Sequence, residues 1–321
     1  MKIKRIGVLT SGGDAPGMNA AIRAVVRSAL FNKVEVMGIY RGYEGLIQED
    51  IKLLDHRSVS NIINRGGTIL KTARSEKFLK REGQKRAVEN LKRNKIDAVV
   101  VIGGDGTYRG GIALSERWHI PCIGVPGTID NDVYGTDSTI GSDTAVNTAV
   151  EAIDKIRDTA TSMERVFVVE VMGRDSGYIA LQVAVSGGAE EVLLPEQKFS
   201  MYDMCHAIVE GNLRGKISWI IITAEGRAKA ADVARRINEM TTLETREVVL
   251  GHVQRGGSPT ARDRILASLF GAAAVDLLLK GKSGKAVGII SDKINIVDLK
   301  DAVKKTKLQA GSLYKLIKIL T

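Results

Sequence analysis

The segment Val99–Thr107, VVVIGGDGT, restricts the fold of this chain more than any other stretch. An uninterrupted apolar run that breaks into Gly-Gly reads as a strand buried on both faces and ending in a tight turn, as in a parallel sheet covered by helices. Gly103, Gly104 and Gly106 strip that turn of side chains. Bare amides and one carboxylate, Asp105, are left at the C-terminal edge of the strand, where open α/β sheets bind ligands. Phosphate oxygens accept from such amides, and a metal ion carried by the phosphates is drawn to the carboxylate. The layout recurs downstream as an apolar run, Ile120–Val125, a Pro-Gly turn, and then Thr128-Ile129-Asp130-Asn131-Asp132. Two strand ends of this kind predict phosphoryl-transfer chemistry.

Further strand-like runs lie at Ile6–Thr10, Val34–Tyr40, Val166–Val171, Ser218–Thr223, Glu247–Leu250 and Ala286–Ile290, beside Ala98–Ile102. Helical periodicity separates them, at Met18–Leu30, Gly83–Arg93, Asp143–Thr159, Met201–Leu213, Ala230–Met240 and Arg262–Leu279. Alternation of this kind predicts an α/β fold with mostly parallel sheets covered on both faces. At 321 residues the chain suits two domains. The half-chains meet near residue 141, and the strand near 286 is expected to return to the first sheet.

Several function classes fall away. No apolar window is long enough to span a membrane, and the short N-terminal apolar run reads as a strand, not a signal peptide. Cys122 and Cys205 have no metal-ligand spacing and are expected to be reduced, buried thiols. His56, His119, His206 and His252 form no ligand pair. A net charge of +10 raises the question of nucleic acid, but aromatics are only 4% and the arginines are dispersed among the glycine motifs. Phosphorylated small molecules fit that pattern better.

The first glycine loop, Thr10–Asn19, follows a strand and opens a helix, with Pro16 near the helix start. It matches neither GxGxxG nor GxxxxGK[ST], so dinucleotide and Walker A sites are disfavoured; what remains is a helix N-terminus behind bare backbone, an anion site. Attack by a hydroxyl on a phosphoryl group needs a carboxylate to take the proton and a cation to neutralise charge. Asp130 and Asp132, if set in a turn, diverge so that one faces the hydroxyl and the other the metal. Three more motifs end strands: Met172-Gly173-Arg174, Ala224-Glu225-Gly226 and Gly251–Gly257. Their arginines are suited to bidentate phosphate binding.

In this order, SGGDAPGMN, GGDGT, PGTIDND, MGR, AEG and GHVQRGGSP closely resemble the bacterial ATP-dependent 6-phosphofructokinases (type A) across essentially the whole chain, more weakly after residue 292. The resemblance implies two Rossmann-like three-layer α/β domains with mostly parallel sheets. An ATP-binding domain would comprise residues 1–141 plus 254–304, and a fructose 6-phosphate-binding domain 142–253 plus 305–321. It implies transfer from ATP to the 1-hydroxyl of fructose 6-phosphate in glycolysis, Mg²⁺ as cofactor, a cytoplasmic homotetramer with shared sites, and neither nucleic-acid nor membrane partners.

By motif match, Gly13, Arg74, Ser75, Gly104, Asp105, Gly106 and Thr107 would hold ATP, with Asp105 on Mg²⁺. Thr128, Ile129 and Asp130 would meet the sugar, Asp130 as base and Asp132 supporting the metal and charge, with Arg74 and Arg174 also catalytic. Met172, Gly173, Arg174, Glu225, His252, Val253, Gln254 and Arg255 would grip the sugar phosphate, and Arg165 and Arg246 would reach it from a neighbouring subunit. An ADP or phosphoenolpyruvate effector site would use Arg23, Arg27, Arg157, Gly188, Glu190, Arg214 and Lys216. There Arg57 stands one place from the expected arginine, and Ser218 where a histidine is frequent. Pyrophosphate-dependent relatives tend to carry Asp at the place of Gly106 and Lys at that of Gly127; two glycines leave room for an adenosine-bearing phosphate and favour ATP.

Overall fold

The computed structural model describes residues 3–304, 306, 308 and 310–321. The chain divides into two compact units, Met1–Thr144 with Arg255–Thr306 and Ala145–Gln254 with Lys307–Thr321. Its strands are β1 (Arg5–Thr10), β2 (Glu35–Ile39), β3 (Ile51–Leu54), β4 (Ala98–Gly103), β5 (Cys122–Pro126), β6 (Val166–Val171), β7 (Glu191–Leu193), β8 (Trp219–Ala224), β9 (Thr245–Val249), β10 (Lys285–Ile290) and β11 (Lys293–Asp298). The helices are α1 (Met18–Phe31), α2 (Gly42–Gln48), α3 (Glu76–Leu79), α4 (Arg81–Arg93), α5 (Asp105–Ile112), α6 (Ser142–Met163), α7 (Tyr178–Ser186), α8 (Met201–Leu213), α9 (Ala230–Thr241), α10 (Ala261–Leu279), α11 (Leu299–Ala302) and α12 (Gly311–Leu320). Among the described residues no helix is long and apolar enough to cross a membrane.

The first unit holds a seven-stranded sheet in the order β11-β10-β5-β4-β1-β2-β3. Every residue of β4 and β5 is buried, as both-face burial in a parallel sheet requires. The return of the chain to this sheet occurs as expected, β10 pairing parallel to β5. The two edge strands, β3 and β11, run antiparallel to their neighbours and were not anticipated. β3 is only four residues long, and β11 alternates exposed with half-buried positions, so neither presents a continuous apolar run. The second unit holds an entirely parallel sheet in the order β7-β8-β6-β9. β6 and β8 are fully buried, whereas β9 at the edge is mostly exposed.

A buried carboxylate interlocks two helix starts in the first unit. Asp263, in the first turn of α10, is wholly buried and accepts hydrogen bonds from the backbone N–H of Gly141 (2.9 Å) and of Thr144 (2.8 Å) and from the Thr144 hydroxyl (2.5 Å). These are the orphan amides at the start of α6. Thr260 caps α10, its hydroxyl accepting from the Asp263 N–H at 3.3 Å and donating to Asp143 at 2.6 Å. Burial is the largest influence on Asp263 and pushes its pKa up, against the lowering effect of its hydrogen bonds.

Replacing Asp263 by Ala strands three buried donors and is expected to cost about 3 kcal/mol, read as a lower urea midpoint. Because its pKa is raised in the folded chain, the stability Asp263 contributes increases as pH falls through that value. The gap between wild type and Asp263→Ala should therefore widen, not narrow, on acidification from neutrality.

Candidate active site

The order β5-β4-β1 places three loops side by side at the C-terminal edge of the first sheet. The Ser11 N–H donates to the Ile102 carbonyl at 3.1 Å, and the Gly127 N–H to that of Gly103 at 3.1 Å. The buried Thr107 hydroxyl donates to the Ser11 carbonyl at 2.9 Å. Gly104 precedes α5, so the first amides of that helix face outward beside Asp105, which is exposed and paired with Arg109 at 3.0 Å. A Cβ built on Gly106 meets nothing within 4 Å, in keeping with the expected open space there. Gly127 is different. A Cβ there points at Ile102 Cγ2 (3.1 Å) and Met18 Cε (3.2 Å), so this glycine also answers a packing demand.

Asp130 is buried, and its N–H donates to Thr128 Oγ1 at 3.2 Å. Asn131 between the two acids is left-handed, with φ +48°. Its side chain holds that conformation by donating to the Asp137 carbonyl (3.0 Å) and accepting from the Thr139 N–H (2.8 Å). Such a residue breaks the alternation of extended backbone, so Asp130 and the half-buried Asp132 occupy different surroundings. The Thr139 hydroxyl braces the same loop by donating to the Thr128 carbonyl at 2.6 Å.

Two positioning groups on α2 had no sequence signal. The buried Tyr43 hydroxyl donates to the Thr107 carbonyl at 2.6 Å, tying α2 to the start of α5, and its ring stacks on Phe78 with centroids 4.2 Å apart. Burial raises its pKa well above the usual phenol value. Next to it, Glu44 accepts from the Ser75 hydroxyl at 2.7 Å, a bond that lowers the Glu44 pKa. Ser75 in turn caps α3 by accepting from the Phe78 N–H, which leaves the neighbouring Arg74 exposed. Tyr43 sits in a glycine-flanked GYEG sequence that carries no helix signature.

Arg255, placed with the sugar-phosphate group by motif, lies in the first unit and donates to the Asp14 carbonyl at 3.0 Å, beside Gly13 of the first glycine loop. In the second unit the ends of β6 and β8 adjoin. Glu225 Oε1 accepts from the N–H groups of Gly173 (3.2 Å) and Arg174 (3.0 Å), and Gln254 Oε1 accepts from that of Met172 (3.1 Å). His252 and Val253 are exposed on the short 3₁₀ turn Gly251–Arg255. Arg165 and Arg246, far apart in sequence, converge on one carboxylate: Arg165 meets Glu244 Oε2 at 2.8 Å and Arg246 its other oxygen. Of the effector residues, Arg157, Gly188, Glu190 and Lys216 come together. Glu190 Oε1 lies 3.7 Å from Arg157 and 3.3 Å from Lys216, and Arg157 donates to the Gly188 carbonyl at 2.6 Å. Arg214 instead pairs with Glu210, while Arg23, Arg27 and Arg57 lie in the first unit.

Residues 5–278 match the family model described as phosphofructokinase. This chain belongs to the phosphofructokinase family. It is 54% identical over 319 residues to the ATP-dependent 6-phosphofructokinase of Bacillus velezensis, covering 99% of this chain and 100% of that protein. The Bacillus pumilus protein of the same name is 55% identical over 314 residues, 98% of each. A solved phosphofructokinase from Saccharomyces cerevisiae superposes with a TM-score of 0.88 at 36% identity; the match covers 99% of this chain and 47% of the yeast chain.

Within this phosphofructokinase, Tyr43→Phe removes the donor to the Thr107 carbonyl and should cost about 1 kcal/mol of stability. The check is equilibrium urea unfolding; an unchanged midpoint would mean that the bond does not secure α5.

Proposed function

We propose that this chain is an ATP-dependent 6-phosphofructokinase, transferring the γ-phosphoryl group of ATP to the 1-hydroxyl of fructose 6-phosphate. The observation that carries the reading is the buried Asp130, held beside Thr128 at the strand end next to the Gly104–Thr107 loop. The outward amides at the start of α5 receive phosphate oxygens. Gly104 is in ordinary contact distance of Thr128, its built Cβ 3.5 Å from Thr128 Cβ, so phosphate loop and acceptor loop face each other.

Among the described residues no group of three or more His, Cys, Asp or Glu side chains forms a metal cage. A single exposed carboxylate beside open space suits Mg²⁺ whose other ligands are phosphate oxygens and water, so Asp105 would hold it and Asp132 would support it. When bound, the ion neutralises phosphate charge. Asp130 accepts the proton of the 1-hydroxyl as its oxygen bonds to the γ-phosphorus; the bond to the β-γ bridging oxygen breaks and ADP departs. Arg74 and Arg174 offset charge on the transferring group.

Arg165 and Arg246 share Glu244, which keeps two guanidiniums side by side with net positive charge, an arrangement suited to the sugar 6-phosphate. Arg246 lies on β9, an edge strand, which supports its reaching the site of a neighbouring subunit in a homotetramer. Arg157 and Lys216 on Glu190 support an anionic effector site for ADP or phosphoenolpyruvate. Free, buried Cys122 and Cys205 agree with a reducing compartment such as the cytoplasm.

Turnover of fructose 6-phosphate with ATP, and its absence with pyrophosphate, tests the reading directly. Asp130→Asn preserves size but cannot take the proton, so kcat should fall by about 10²–10⁴-fold while fructose 6-phosphate KM moves little. Near-normal kcat would remove Asp130 as base. Gly106→Asp puts a carboxylate into the open space and should sharply raise the ATP KM by like-charge repulsion, with fructose 6-phosphate KM unaffected.

A further inference from the structure

The motif Met172-Gly173-Arg174 resembles a phosphate-gripping turn, yet its amides are already taken. Three consecutive N–H groups donate to side chains of two other strand-end motifs: Met172 to Gln254, Gly173 and Arg174 to Glu225. The turn they hold is unusual. Gly173 has φ +141° and Arg174 φ +52°, the latter a left-handed conformation that a residue with a Cβ keeps only where its surroundings dictate it. Gly226 closes the other side. A Cβ there would lie 1.8 Å from the Arg174 carbonyl oxygen, so the two turns touch backbone to backbone and only glycine fits. Gln254 is wholly buried, and its Nε2 makes no hydrogen bond within the described residues. An unpaired buried amide is costly, and such groups are retained where they serve a purpose.

We propose that Gln254 and Glu225, with Gly226 behind them, are positioning residues that clamp the Met172–Arg174 turn and so set the direction from which Arg174 approaches the transferring phosphoryl group. The turn then contributes the Arg174 side chain, not its amides, to phosphate binding. Gln254 fixes its first residue and Glu225 the next two. This rests on the kinase reading above, which makes Arg174 the group being aimed.

The test is a double-mutant cycle with Arg174→Ala, alongside hydrogen exchange of the three amides. Gln254→Met keeps the shape but removes the acceptor; misaiming Arg174 should lower kcat/KM for fructose 6-phosphate by about 10–100-fold, with the ATP KM unchanged. In the Arg174→Ala background the same substitution should cost less than about twofold, because the group it acts through is gone. Glu225→Gln retains a carbonyl acceptor and should keep the amides of Gly173 and Arg174 protected from exchange, whereas Glu225→Ala should release them. Multiplying losses in the double variant, or equal loss of amide protection in Glu225→Gln and Glu225→Ala, would overturn the proposal. If Gln254→Met does not fold, Glu225→Ala at the more exposed position completes the cycle. Exchange decides the clamp without activity: the amides of 172–174 should be protected in the unmodified enzyme and lose protection in Glu225→Ala, and fast exchange in the unmodified enzyme would rule the clamp out. Absence of any fructose 6-phosphate turnover would sink the activity assignment while leaving the exchange result to judge the clamp.

Discussion

Burial of β1, β4 and β5 on both faces is the constraint from which the rest of the first unit follows. A strand with no wet face must satisfy its N–H and C=O groups through its neighbours, and it does so here in parallel register, Val101 opposite both Leu9 and Gly124. Parallel pairing sends all C-terminal ends to one edge. Three glycine-bearing loops therefore emerge together, and the Thr107–Ser11 hydrogen bond sews two of them into one surface. Nothing in the loops themselves requires that proximity.

The charged groups follow a second rule, in which cations are held in pairs by a resident carboxylate. Arg165 and Arg246 share Glu244, and Arg157 and Lys216 share Glu190, whose second oxygen accepts from the Ile220 N–H at 2.6 Å. Each trio retains net positive charge while its long side chains are kept from scattering. Part of the +10 charge is thus organised in pairs at two places and is not spread evenly over the surface.

Asn131 and Arg174 illustrate a common solution at two strand-end loops. Both are left-handed residues with a Cβ, and both are secured by side-chain hydrogen bonds: Asn131 by its own amide to the backbone of Asp137 and Thr139, Arg174 by the Glu225 carboxylate on its N–H. The turn conformation is thereby set before any ligand arrives, in the manner of a preorganised site.

The run VVVIGGDGT and its companions determined, by themselves, the class of fold and the strand edge at which the glycine motifs gather, because continuous apolar runs and bare glycines are local signals. The edge strands β3, β7 and β11 escaped notice since short or alternating segments resemble loops until a neighbour pairs with them. α2, with glycine at 42 and 45, reads as a loop for the same reason; Tyr43 bonding to Thr107 joins it to α5. Tertiary structure alone decided that Gly127 faces Met18 and Ile102 while Gly106 faces open space, and that Arg255 rests on the first glycine loop. It alone brought Gln254 and Glu225 to the amides of Met172–Arg174. Those outcomes join residues tens of positions apart, and a hydrogen bond or a steric contact depends on where the chain returns in space, which no local pattern of residue types encodes.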